Sequence, residues 1–408
     1  MRKKVVIIGH GYTSRLGVIR SVALIGCEVT VIVMTNRKRF RKTLRETKQI
    51  DCYSKYVDHI FYCYAKDGEG LIQLLLKNCA DAGQKVVIIP DSDFSAAVVD
   101  KNQDLLKDKF LFPHIHHRSG AIVEWMNKGK QKVLALEVGM NVAGWRVVDI
   151  YHGDYIIPRG IQYPCFCKPL ATIVGGKRLL CKCNHERALR NVLERAAKLS
   201  TTISVLMEDY KEIEEEYAVL GFSDGVQVIV PAVIKFLQPS QDHIGIALQG
   251  EIIPTDGFEQ LICFFQEYIR RIGYFGLFDI DFYQSEGKFY FGELNLRFGG
   301  SGYAVTKMGV NLPGMLVKSL QGMSIDDMNK QIGSSALFVN ERMCFDDWYS
   351  GSFSTKEFHR ILNAANIRFV YDEDDPAPQH AFEREYKKKK LRRPVVKYYI
   401  LLRKLFTK

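Results

Sequence analysis

Short apolar runs, each closed by a turn residue, alternate with longer amphipathic stretches over the first part of the chain. KKVVIIGHGY carries an apolar run at residues 5–8 and then a glycine turn, the pattern of a buried strand. A helix is predicted over residues 16–25, stopped by Gly26, and EVTVIVM follows as a second strand. HIFYCY reads as a strand, EGLIQLLLKNCADAG as a helix, KVVIIPDSD as a strand and FSAAVVDKNQDLLKD as a helix. Strand and helix in alternation predict a right-handed parallel α/β sheet within residues 1–112.

From about residue 113 the pattern changes. GAIVEWMNKGKQKVLALEVG has helical spacing. Short strands follow in PCFCKP, KRLLCKC, SVLMEDY, EYAVLGFSD and VQVIVPAVIKF. Then come the helix GFEQLICFFQEYIRRIG and a strand pair, FGLFDIDFYQSEGKFYFGELNL, turning at Glu286-Gly287. Strand pairs with flanking helices predict an α+β region over 113–320. Residues 321–380 read as a small appended segment and 381–408 as a basic amphipathic tail.

Composition bounds the class. The chain has 408 residues, 47% hydrophobic and 25% charged, enough for several cores. No window reaches the roughly 18 continuous apolar residues of a spanning helix. The basic start MRKKVVIIGHGY lacks the long apolar stretch of a secretory leader. Ten scattered cysteines fit a reducing cytoplasm. Residues 381–408 hold eleven Lys/Arg against two Glu, so the tail carries +9 of the net +11. The body is nearly neutral, which argues against a nucleic-acid partner.

The strand pair carries the chemistry. Side chains alternate along a strand, so Asp279 and Asp281 share one face, and Glu293, Asn295 and Arg297 share another. A hairpin lays these rows side by side. Carboxylates and an amide oxygen are hard ligands suited to Mg²⁺. Arg297, one pleat further, can grip a phosphoryl oxygen. Alternating polar residues on a half-solvated sheet are the plain alternative; against it, Asp and Asn are poor strand formers.

Asp281 followed by Glu293-x-Asn295-x-Arg297 resembles the metal-binding signature of the ATP-grasp superfamily. Four earlier pieces are similar in the same order. Lys128 precedes a helix ending at Gly139, and Lys168 ends a strand before the glycines Gly175 and Gly176. Glu208 in VLMEDY matches the acid that opens the adenine hinge. Glu216, or alternatively Glu215, matches the acid that holds the ribose. Asn127 departs from the family's frequent Asp, and the loop ATIVGGK is poorer in glycine than in many members. GELNLRFGGSGYAVTKMGVNLPG is similar to carboxylate–amine ligases of the D-aspartate ligase type. The resemblance implies a Rossmann-like pre-ATP-grasp domain at 1–112 and an ATP-grasp domain of two lobes at 113–320. It implies ATP held by Lys128, Lys168, Gly175, Gly176, Glu208 and Glu216. Two Mg²⁺ ions, replaceable by Mn²⁺, would sit on Asp281, Glu293 and Asn295, with Arg297 and Lys168 as the catalytic cations. The reaction implied is amide formation between a small-molecule carboxylate and an amine through an acyl phosphate. The alternatives are a carboxylase using bicarbonate and a nucleotide binder without activity.

Other features weigh less. Gly9-x-Gly11 then Gly17 is not a complete dinucleotide fingerprint, since residue 14 is Ser; only Arg37-Lys38-Arg39 favours an NADP oxidoreductase. Asp93 reads as a helix cap or a substrate contact. Cys165/Cys167 and Cys181/Cys183 make a four-thiolate zinc site only if their strands pair, and the spacing is unlike C-x₂₋₄-C, so buried free thiols are the expectation. His114, His116 and His117 read as a solvated linker. The tail KKKKLRRPVVKYYILLRKLF has the composition of an interfacial helix, which would give peripheral contact with a membrane, against a solvated terminus as the alternative.

Overall fold

The computed structural model describes residues 2–10, 12–35, 49–171, 179–241 and 246–406. Gly11, Arg37-Lys38-Arg39, Gly175 and Gly176 lie outside the described residues.

Five parallel strands form the first sheet, in the spatial order Val57–Tyr64, Glu28–Thr35, Lys4–Gly9, Val86–Pro90, Phe110–Leu111. Val5 to Ile8 and Val86 to Ile89 are at most 1% exposed, which is why these strands read as unbroken apolar runs. The first helix is Tyr12–Ala23, starting earlier than its apolar spacing indicated. Lys4–Gly9 and Val86–Pro90 are neighbours although distant in sequence. Their carboxyl ends open the crevice where strand order reverses, the place where such sheets take ligands.

An antiparallel sheet follows, ordered Cys181–Cys183, Cys165–Pro169, Thr202–Asp209, Trp145–Tyr151, Asp154–Tyr155. Helix Glu186–Ala197 covers one face with Leu189, Val192, Leu193 and Ala196, all at 0% exposure. The third sheet has nine strands and centres on Glu215–Asp224, Tyr274–Ser285 and Lys288–Asn295. Helix Glu259–Ile272 buries Phe265, Tyr268, Ile269 and Ile272 against it. Strand Ala247–Ile253, with its alternating burial, was not read from the sequence. Ala336–Val339 pairs with it, so part of 321–380 extends this central sheet.

Three local expectations change. GAIVEWMNKGKQKVLALEVG is two helices, Ala121–Trp125 and Lys128–Glu137, because Asn127 caps the second by accepting from the Lys130 amide. His114 is no solvated linker residue: it is 9% exposed, pairs with Phe275 in the sheet, and stacks on His117 with ring centroids 3.5 Å apart. Burial lowers its pKa to about 4. The last helix, Ala377–Phe406, runs through Pro394 and starts well before the basic cluster. Phe382 and Tyr386 pack it against Phe345 and Trp348. Among the described residues no helix is long and apolar enough to cross a membrane.

The C-terminal part is tied to the first helix by one buried cation. Arg20 donates to Asp375 (3.0 Å) and to the carbonyls of Phe369 (3.0 Å) and Val370 (2.9 Å), with the Arg20 and Asp375 side chains 2% and 0% exposed. Removing one partner of such a pair strands the other charge in an apolar interior. Arg20→Met should therefore cost about 3–5 kcal/mol, read as a lower urea midpoint; a loss below about 1 kcal/mol would show the pair to be dispensable.

Candidate active site

The two-residue turn Glu286-Gly287 has φ of +52° and +69°, as a hairpin twist requires. Its strands pair in register, with Asp281 opposite Glu293 and Asp279 opposite Asn295. The register shifts once, beyond Asp281, where Gly292 is the extra residue of a bulge. A Cβ on Gly292 would come 2.8 Å from the Asp281 carbonyl oxygen, so only glycine lets the strands approach there. Opposite residues share a face, so the acids and the amide stand together. Phe282, Phe291, Ile280 and Leu294 take the other face and join the apolar core.

Three charges on one patch repel. Burial first, then Asp279 and Glu293, raise the Asp281 pKa well above the usual carboxylate range; its nearest partner is the Asn295 amide, which donates at 3.3 Å. Burial raises Asp279 to about 6, with Arg297 acting against it. Glu293 is held by Lys128, at 2.9 Å and 4% exposure. Gln131, one turn on, fixes that geometry by exchanging hydrogen bonds with the Leu294 backbone at 2.9 and 3.0 Å.

Across from this row lies the antiparallel sheet. Lys168 pairs with Glu208 at 3.0 Å, and Lys132 pairs with the same carboxylate oxygen. Burial lowers the Lys132 pKa. Burial also acts to lower Lys168, but Glu208, Glu293 and Asp281 outweigh it and the net shift is upward. Lys168 therefore lies within electrostatic reach of the acid row. Burial acts to raise Glu208, yet the two lysines hold it below the usual range. Sequence reading missed Lys132, although its spacing from Lys128 puts both on one helix face. The Lys128 amide donates to the Leu170 carbonyl at 2.9 Å, joining this helix to the strand that carries Lys168.

Glu216 lies on the face of Asp281, two residues along the strand from Ala218, Asp281's register partner. Burial raises its pKa. Glu215 faces the other way and is bound by Lys235 and Tyr217. Arg297 donates to Asp93 at 2.9 Å and to the Asn295 oxygen at 3.4 Å, joining the hairpin to the start of helix Asp93–Lys101, which follows strand Val86–Pro90 of the first sheet. Asp93 is not the cap of its helix; Ser92 is, accepting from the Ser95 amide at 3.2 Å. Beside it, Asp91 is 7% exposed and accepts from Ser14 at 2.9 Å, while its Oδ1 has no hydrogen-bond partner among the described residues.

No protein-family model matches the chain. The carbamoyl phosphate synthase large chain of Gemmatimonas aurantiaca is 27% identical over 176 residues, 42% of this chain and 16% of that protein. The corresponding chain of Methanocorpusculum labreanum is 27% identical over 183 residues, 43% and 17% respectively, so the match spans only a small part of these relatives. Among solved structures, the biotin carboxylase domain of Hydrogenobacter thermophilus 2-oxoglutarate carboxylase, in complex with MgADP, ADP and bicarbonate, superposes with a TM-score of 0.62. The two are 17% identical over 83% of this chain and 74% of that one. An L-amino acid ligase from Bacillus licheniformis gives 0.61 at 14% identity, covering 82% and 80%. An N5-carboxyaminoimidazole synthetase from Staphylococcus aureus, complexed with ADP, gives 0.61 at 17% identity, covering 83% of each. These are ATP-grasp enzymes, and the chain has the ATP-grasp fold.

Asp91 generates a pH prediction. Burial raises its pKa to about 7, far above the ~3.9 of an unfolded chain. As pH rises from about 4 to 7 the unfolded state loses this proton first, so stability falls over that window and levels off above it. Asp91→Asn removes the dependence. Its unfolding free energy from urea titration should match the parent near pH 4 and exceed it by about 2–4 kcal/mol at pH 8; an offset equal at both pH values would refute the buried, protonated state.

Proposed function

We propose that this chain is an ATP- and Mg²⁺-dependent ligase that joins a carboxylate to an amine through an acyl phosphate. The observation that carries the reading is the register of Asp281 against Glu293, with Lys128 and Lys168 both within reach of those carboxylates. Residues 1–112 would serve as the Rossmann-like pre-ATP-grasp domain and 113–320 as the two nucleotide-holding lobes. Residues 321–380 would complete the fold, and 381–408 would be a basic extension.

The donor set fits a divalent cation. Asp281 is half-buried beside two further carboxylates, and no cationic side chain among the described residues pairs with it directly. Asp281, Glu293 and Asn295 would hold the metal, which when bound supplies charge neutralisation to the phosphates. Lys128 and Lys168 would orient ATP, with Lys132 and Glu208 fixing the position of Lys168. Gly175 and Gly176 would bring backbone amides to the phosphates. Glu216 would take the ribose hydroxyls.

In the first step a substrate carboxylate oxygen bonds to the γ-phosphorus while the bond from phosphorus to the bridging oxygen breaks, releasing ADP. Arg297 would stabilise charge on the transferring group. The amine nitrogen then attacks the acyl carbon, the carbon–oxygen bond to phosphate breaks, and the nitrogen loses a proton. Likeness to an amino acid ligase over most of both chains supports an amino acid as one partner. Bicarbonate as acceptor is the second reading, supported by its presence in a similar carboxylase domain.

The test is ADP release over pooled amino acids crossed with pooled carboxylic acids, with a bicarbonate arm. Turnover needing both an acid and an amine is expected, and Glu293→Gln or Asp281→Asn should lower it about 10²–10³-fold. Turnover in the bicarbonate arm alone would replace the ligase by a carboxylase. Release in no arm would sink both.

A further inference from the structure

The hairpin that carries Lys168 also carries four cysteines. Strand Cys165–Pro169 pairs with Cys181–Cys183 so that Cys183 stands opposite Cys165 and Cys181 opposite Cys167. Opposite residues share a face, so all four project away from Lys168, toward helix Glu186–Ala197. The sulfur atoms of Cys165, Cys167 and Cys183 lie within 4.8 Å of one another, and Cys167 and Cys183 are 3.7 Å apart. These three residues are 1%, 0% and 0% exposed, while Cys181 is half-buried at the edge of the same apolar cluster. Cys27, Cys52, Cys63, Cys79 and Cys344 are buried as well, but none belongs to such a group among the described residues.

We propose that Cys165, Cys167 and Cys183, with Cys181 as fourth ligand, bind one thiophilic metal ion of the zinc class. A tetrahedral ion with metal–sulfur bonds of about 2.3 Å sets its sulfurs about 3.8 Å apart. Cys167 and Cys183 already have that separation. A disulfide would need about 2.05 Å, so these are separate thiols. All four ligands are soft, which selects zinc or copper(I) and excludes magnesium. Cys181 now directs its thiol to the Lys182 carbonyl at 3.5 Å and turns inward on binding. Each ligating thiol releases its proton to solvent as the metal–sulfur bond forms. The ion clamps two strands at the base of the segment that holds Gly175 and Gly176. This site stands independently of the nucleotide reading, since none of its ligands belongs to the acid row or the lysine set.

The test uses the full chain, grown with zinc and freed of loose metal by gel filtration. Elemental analysis should find about one zinc per chain. Titration with p-hydroxymercuribenzoate should release it, and cobalt(II) exchange should give a thiolate-to-cobalt charge-transfer band. Cys167→Ser and Cys183→Ser should lose the metal and the band. Cys181→Ser should bind zinc at least about 10-fold more weakly, and Cys263→Ser, an exposed cysteine elsewhere, should leave binding unchanged. Should the serine variants not fold, mercurial release from the parent chain decides alone. No zinc released, or equal zinc retained by folded Cys167→Ser, overturns the proposal whatever the ADP assay shows.

Discussion

Everything at the candidate site follows from how one two-strand ribbon is aligned. Asp281 meets Glu293 and Asp279 meets Asn295 because the strands are offset by a single bulge at Gly292. Were the ladder continued without that bulge, Glu293 would stand opposite Ile280 and Asn295 opposite Phe278, on the core face. With it, two half-buried carboxylates and a third held by lysine face the same space. Such crowding opposes folding unless cations gather around it. Lys128 and Arg297 answer part of the charge, and a divalent ion is the natural complement for the remainder.

Lys168 on the facing sheet and Lys132 on the helix Lys128–Glu137 form a second arrangement of the same kind. Glu208 is nearly buried between Lys132 and Lys168, so its charge is spent on positioning rather than offered to a ligand. The sequence resemblance places Glu208 at the adenine hinge; in the structure its carboxylate pairs with Lys132 and Lys168. The two halves are mechanically joined, because the Lys128 amide bonds to Leu170 and Asn127 bridges to Ala171.

How much of this was legible beforehand depended on whether the signal was local. Lys4–Gly9, Glu28–Thr35 and Val86–Pro90 were readable because each is largely buried on both faces and so rich in apolar residues. The hairpin was readable because Glu286-Gly287 is a strong turn signal. Helix starts were not: Asn127 splits a segment whose apolar spacing runs straight through it. His114 looked like loop and became strand because a distant partner, Phe275, supplies its ladder. Among site residues, Asp281, Glu293 and Asn295 announced themselves by polar alternation. The pairing of Arg297 with Asp93, and the role of Lys132, depend on contacts between elements that no single window contains.

The bulge also imposes an arithmetic on any change in chain length within the ribbon. Side chains in a strand obey odd-even parity. Removing Gly292 alone would delete the extra residue and leave Glu293 opposite Asp281 in a regular ladder. Removing a second residue from 288–291 as well would turn Glu293 and Asn295 toward Phe265 and Tyr268, placing charge and amide in hydrocarbon. The bulge is thus where the ribbon can lose a single residue while Glu293 keeps its facing toward Asp281.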